Sequence, residues 1–112
     1  MRQIGTLRIA GTDVAVLEKE GLANEHGDTI HGEFDQLELA IVVLAGLSPT
    51  ARRDVVLHEY AHAYLYLTGA QEWLVCTVGG KQARKLGEVI ARIFAPATAQ
   101  AIDCGLFELV KL

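Results

Sequence analysis

The hydrophobic period of the chain changes once, near residue 48. Before that point, "TLRIAG" and "DVAVLEKE" read as short strand segments of period two. Gly11-Thr12 between them suits a hairpin turn. "GLANEHGDTIHG" is polar and punctuated by glycine, which predicts a loop with a strand starting near Thr29. "TIHGEFDQLELAIVVLAG" predicts a second hairpin, turning near Asp35-Gln36. From Leu37 to Leu44 only Glu38 interrupts the apolar run, so that strand is expected to be covered on both faces.

Beyond residue 48 the period is helical. Ser48-Pro49 supplies an N-cap and a proline at the first helical position. The pattern predicts a helix from about Thr50 to Leu67, ended by Gly69. "GAQEWLVCTVGG" carries no assignable period. A further helix is predicted from about Lys81 to Ala95, stopped or kinked by Pro96, with "TAQAIDC" adding a turn or two. The apolar tail "GLFELVKL" suits a strand, a helix end or a self-association surface. These elements describe an α+β fold: an N-terminal antiparallel sheet of hairpins packed on two or three helices, one domain over residues 1–112.

Composition narrows the function. A chain of 112 residues supports one modest core, and 51% hydrophobic residues make it globular rather than disordered. A net charge of -4 without any basic run argues against nucleic acid as a partner. The longest apolar run, "LAIVVLAGL", is far too short to span a bilayer, so no membrane partner is expected. "MRQIGTLRIAGTDV" has no apolar stretch of signal-peptide length, so Cys76 and Cys104 are expected to be reduced thiols of a cytoplasmic protein.

The candidate chemistry lies in "VVLHEYAHAYLYLTG", residues 55 to 69. Residues four apart on a helix share a face, with Cβ atoms roughly 5–6 Å apart, so His58 and His62 can direct two imidazoles at one point. That suits a tetrahedral zinc ion. Glu59, about a third of a turn round, is placed to reach a water on the metal as general base, the His-Glu-x-x-His arrangement of zinc peptidases. A carboxylate among Val, Leu, Ala and Tyr is costly unless something compensates it, and a cation does. Without a metal, the two histidines would be polar groups on a seam, with Asp54 available to pair with His58.

Two histidines leave a catalytic zinc one protein ligand short. A histidine six residues after His62 would be one solution, but that position is Thr68. The remaining candidates are Glu72, Cys76, Glu88, Asp103 and Cys104. Helix periodicity disfavours Glu88: the apolar stripe reads Leu86, Val89, Ile90, Ile93 and Phe94, and Glu88 lies off it between Arg84 and Arg92. On pattern alone it belongs to a solvated, salt-bridged face. Tyr66, one turn beyond His62, and His31, approaching from the second hairpin, are the candidate transition-state stabilisers.

"LHEYAHAYLYLTG" followed by "GEVIARIFAP" resembles the ImmA/IrrE family of metallopeptidases, in the gluzincin group. The later helix of that family reads roughly Glu-x-x-Ala-x-x-Phe-Ala, and Glu88, Ala91, Phe94 and Ala95 stand in that register; Arg92 departs from the Asn often found there. "GEFDQLELAIVVLAGLSPTARRDVVLHE" is similar to the family's hairpin and arginine-bearing helix start, so the resemblance covers about residues 29 to 96. It implies one Zn2+ ion held by His58, His62 and Glu88, with Glu59 as base. It also implies a peptide or protein substrate, laid as an extra strand beside the active helix, for which Ile41 to Leu44 is the expected place. The alternative is a metal-stabilised binding module without turnover, its site closed by Cys76 or Cys104 as a fourth ligand.

Overall fold

The computed structural model describes residues 1–103. Four strands and three helices follow in chain order: β1 (Arg2–Ile9), β2 (Thr12–Lys19), β3 (Gly32–Asp35), β4 (Ala40–Leu44), α1 (Pro49–Leu67), α2 (Ala70–Val78) and α3 (Gly80–Asp103). The architecture is α+β, a sheet packed on helices. The tail beyond residue 103, with Cys104, lies outside the described residues. Among the described residues no helix is long and apolar enough to cross a membrane.

The β1–β2 hairpin closes on the pair Ile9↔Thr12, so its turn residues are Ala10 and Gly11, both at positive φ. Two left-handed residues match the twist of a tight hairpin, although Ala10 adopts this conformation at a cost of about 1–2 kcal/mol. The β3–β4 turn is fixed by Asp35, whose Oδ1 accepts from the N–H groups of Leu37 and Glu38 at 3.0 and 3.1 Å.

The sheet is mixed rather than antiparallel throughout. Its order is β1-β2-β4-β3, and β2 pairs with β4 in parallel. The second hairpin therefore docks through its apolar strand. β4, with Ala40 to Val43 all buried, becomes interior, and β3 becomes the edge. This placement removes the most hydrophobic strand from water on both faces. It also corrects the expected substrate strand: β4 already has partners on both sides, so Ile41 to Leu44 cannot accept another.

One sheet face carries Ile9, Val14, Val16, Ile41 and Val43, and α1 closes this core with Ala63, flanked by Val55, Val56, Tyr60 and Leu67. Ser48 caps α1 by accepting from the N–H of Ala51 at 3.1 Å. Gly69, at φ 78°, ends α1 and opens α2, which occupies the segment without a readable period.

α3 runs back along α1. Asp103 meets Arg53 at 2.8 Å, Phe94 stacks on Tyr60 with ring centroids 5.9 Å apart, and Glu88 reaches the histidines. The helix continues through Pro96 to Asp103. Arg92, whose carbonyl loses its helical partner to the proline, is exposed, while Ala91, Ala95 and Ala99 hold both sides of the break against the protein. The buried stripe of α3 is Ala83, Gly87, Ala91, Ala95 and Ala99, not the bulky one expected: Leu86, Val89, Ile90 and Ile93 are exposed. Small side chains let α3 approach closely, and the helix is rotated accordingly.

Candidate metal centre

That rotation decides where Glu88 points. It is the residue after Gly87 on the buried stripe, and its carboxylate enters the cleft between α3 and α1. Its Oε1 lies 3.1 Å from Nε2 of His58, and its Oε2 lies 3.0 Å from Nε2 of His62. The imidazole centroids are 5.1 Å apart, as one helical turn requires. One ligand atom from each of the three residues can be chosen so that all lie within 4.8 Å of one another. Tetrahedral zinc with bonds of about 2.0–2.2 Å places neighbouring ligand atoms roughly 3.3 Å apart, close to the contacts observed. Two imidazoles and a carboxylate are also the donor types that zinc accepts in catalytic sites, so the residues fit such an ion.

The other residues considered as ligands do not converge. Glu72 and Cys76 are exposed on α2, and Asp103 pairs with Arg53. Among the described residues no cysteine closes the cluster. Asp54 pairs with Arg53 at 3.3 Å rather than with His58. Arg92 sits 3.5 Å from Glu88 Oε1 and offers it a second, weaker partner from the solvent side.

Electrostatics favour the ligating form of His62. Burial lowers the pKa of His62 from its ordinary value; Glu88 opposes the shift and the neighbouring His58 reinforces it. A neutral imidazole is the form that binds a metal.

Glu59 lies beneath the cluster and is only 9% exposed. Burial pushes its pKa up from 4.5 to about 7, with the charges of Glu88 and Glu33 adding to the shift and a hydrogen bond from the backbone of Phe34 opposing it. The source of that bond follows from the sheet. Leu44 N–H donates to the His31 carbonyl at 2.8 Å, so the pairs 33/42 and 35/40 carry the ladder bonds. Gly32 and Phe34 then turn their backbone groups to the free edge of β3. Gly32 is the close-approach point: a Cβ there would collide with Val55 Cγ1 and lie 3.3 Å from Glu59 Cγ, so only glycine lets the edge strand sit this near Glu59.

No protein-family model, curated protein or solved structure matches this chain.

The cleft opens on both sides of the centre. On the His58 side it holds about 700 Å³, with His31, Ile30, Asp54, Arg92 and Pro96 on its walls. On the His62 side it holds about 460 Å³, walled by Phe34, Tyr66, Gln71 and Arg84. Gly32, Glu59 and Glu88 border both halves. The two candidate stabilisers thus stand on opposite sides: His31 in the larger half, and Tyr66 in the smaller, its ring 5.7 Å from that of Phe34.

The raised pKa of Glu59 has a consequence for metal-free protein. A carboxyl whose pKa is higher folded than unfolded contributes stability at low pH and loses it as pH rises through the folded value. The window here is from about 4.5 to 7, and the shift corresponds to about 3 kcal/mol at most. In the presence of chelator, Glu59→Gln is therefore expected to stabilise the protein at pH 8 by up to this amount and to change little at pH 4. His62 titrates in both proteins, so the difference between them isolates Glu59. Urea melts of both at the two pH values measure it; an equal effect at both would show that Glu59 is not buried as described.

Proposed function

We propose that this domain is a zinc-dependent peptidase. The observation that carries this reading is the convergence of His58, His62 and Glu88 directly above a buried carboxyl, Glu59, in a cleft open on both sides. The resemblance of the two helices to the ImmA/IrrE pattern supports the same conclusion.

His58, His62 and Glu88 would hold the ion. Zinc held there supplies Lewis acidity, lowering the pKa of a coordinated water toward ~7 and polarising a peptide carbonyl. Glu59 takes the proton of the attacking water and delivers it to the leaving amine. Burial raises the pKa of this carboxyl, which favours its holding a proton, while a nearby cation favours its charged, basic form; the two opposed influences suit a group that must both take and give a proton. The backbone of Phe34 supplies the carboxyl with a hydrogen bond. The free edge of β3 offers the substrate the backbone groups of Gly32 and the Phe34 carbonyl, so an extended peptide can lie along it across both halves of the cleft.

The binding-module alternative needs a closed coordination sphere. The cleft on either side of the cluster instead leaves room for water and substrate. The test is a mixed peptide library incubated with zinc-loaded protein and read by mass spectrometry. Cleavage that chelator abolishes and added zinc restores is the expected result. Full zinc occupancy with no cleavage of any peptide or denatured protein would favour the binding module.

A further inference from the structure

A contact between α2 and α3 sits one residue from Glu88 and takes no part in the chemistry described above. Gln71, half-buried at the start of α2, donates from Nε2 to the carbonyl of Ala83 at 3.0 Å. In a helix that carbonyl also accepts the N–H of Gly87, so the bond ties α2 to the turn that presents Glu88. Gly87 makes room for it: a Cβ at position 87 would stand 2.8 Å from Gln71 Oε1 and 3.6 Å from its Cδ. Gln71 also walls the His62 side of the cleft.

From this contact we propose that Gln71 and Gly87 form a clasp that positions Glu88 for the metal. The apolar pattern of α3 would also suit a different rotation of the helix. Leu86, Val89, Ile90 and Ile93 are exposed in the observed rotation, and turning them inward would bury more apolar surface while carrying Glu88 toward solvent. The clasp works against that rotation at the turn where it matters. Glutamine suits this position because its amide reaches across the gap and stays uncharged beside the histidines. A carboxylate there would add a further negative charge to Glu59 and Glu88.

The inference rests on the metal reading of His58, His62 and Glu88, and its test separates the two. Zinc affinity is measured by competition with a chromophoric chelator for wild type, Gln71→Ala, Gly87→Ala and the double variant, alongside the melting temperature of each without metal. The methyl of Gly87→Ala meets the far end of Gln71, which yields more readily than backbone, so this variant should act as if Gln71 were removed. Each single variant is expected to weaken zinc binding 10- to 100-fold, the range for lost support of a metal ligand. The double variant should be no worse than Gln71→Ala alone, because the second change no longer has a partner to displace. In the Gln71→Ala background the glycine-to-alanine change should even raise the metal-free melting temperature, since alanine is the better helix former. Single variants with wild-type zinc affinity, or a Gly87→Ala penalty undiminished in the double variant, would overturn the clasp while leaving the metal centre standing. A wild type that binds no zinc would overturn both.

Discussion

Glu59→Gln is expected to lower peptide hydrolysis at least ~10²-fold while zinc stays in place. The substitution preserves size in a position only 9% exposed, so it opens no cavity. It leaves an oxygen to accept from Phe34 N–H, but it removes the group beneath the cluster that can take a proton and give it back. The loss should appear in kcat, because orientation of the substrate along β3 does not use this side chain. Steady-state kinetics on a cleaved peptide, with the zinc content of the same samples, measure both halves of the expectation. Zinc loss from Glu59→Gln as severe as from His58→Ala would make Glu59 a ligand rather than a base.

The second large effect is expected at Glu88. Glu88→Gln keeps the shape of the side chain that bridges His58 and His62 but removes its charge. Zinc affinity should fall by more than the 10- to 100-fold typical of lost outer-shell support, because a direct donor is weakened. The melting temperature should fall only when zinc is present. Without zinc the substitution also removes a negative charge that disfavours ionised Glu59, which offsets the weakened contacts to the imidazoles. If Glu88 instead belonged to a solvated face, the same change would cost at most a few tenths of a kcal/mol and leave zinc affinity unaltered. Chelator competition and thermal melts on this single variant separate the two outcomes.

Helix periodicity and the two-motif pattern disagree about Glu88, and the reason is physical. A hydropathy pattern weights bulk, so Leu86, Val89, Ile90 and Ile93 define the apparent inner face of α3. The buried stripe is instead the small residues Ala83, Gly87, Ala91, Ala95 and Ala99, whose value is close approach rather than transfer free energy. α1 is legible because its signals are local: the Ser48 cap, Pro49, the terminal Gly69 and the four-residue spacing of its histidines. α2 is not, since it has no side-chain cap and buries no residue fully. The first hairpin can be read from alternation, but the parallel pairing of β2 with β4 is a long-range choice that no local pattern encodes. Without that pairing Ile41 to Leu44 looks like the substrate edge, whereas among the described residues the free edge belongs to β3. The Phe34 N–H and the close approach at Gly32 depend on the same pairing, although a glycine three residues after Thr29 is the available sign of a tight contact.

Elemental analysis of wild-type protein purified without a histidine tag tests directly whether His58, His62 and Glu88 bind a divalent metal. After reconstitution with zinc and removal of the excess, about one zinc per chain is expected, with loss of the metal in His58→Ala and His62→Ala. Folded wild-type protein that retains no divalent metal after the same treatment would contradict the metal centre, and the proposed hydrolysis with it.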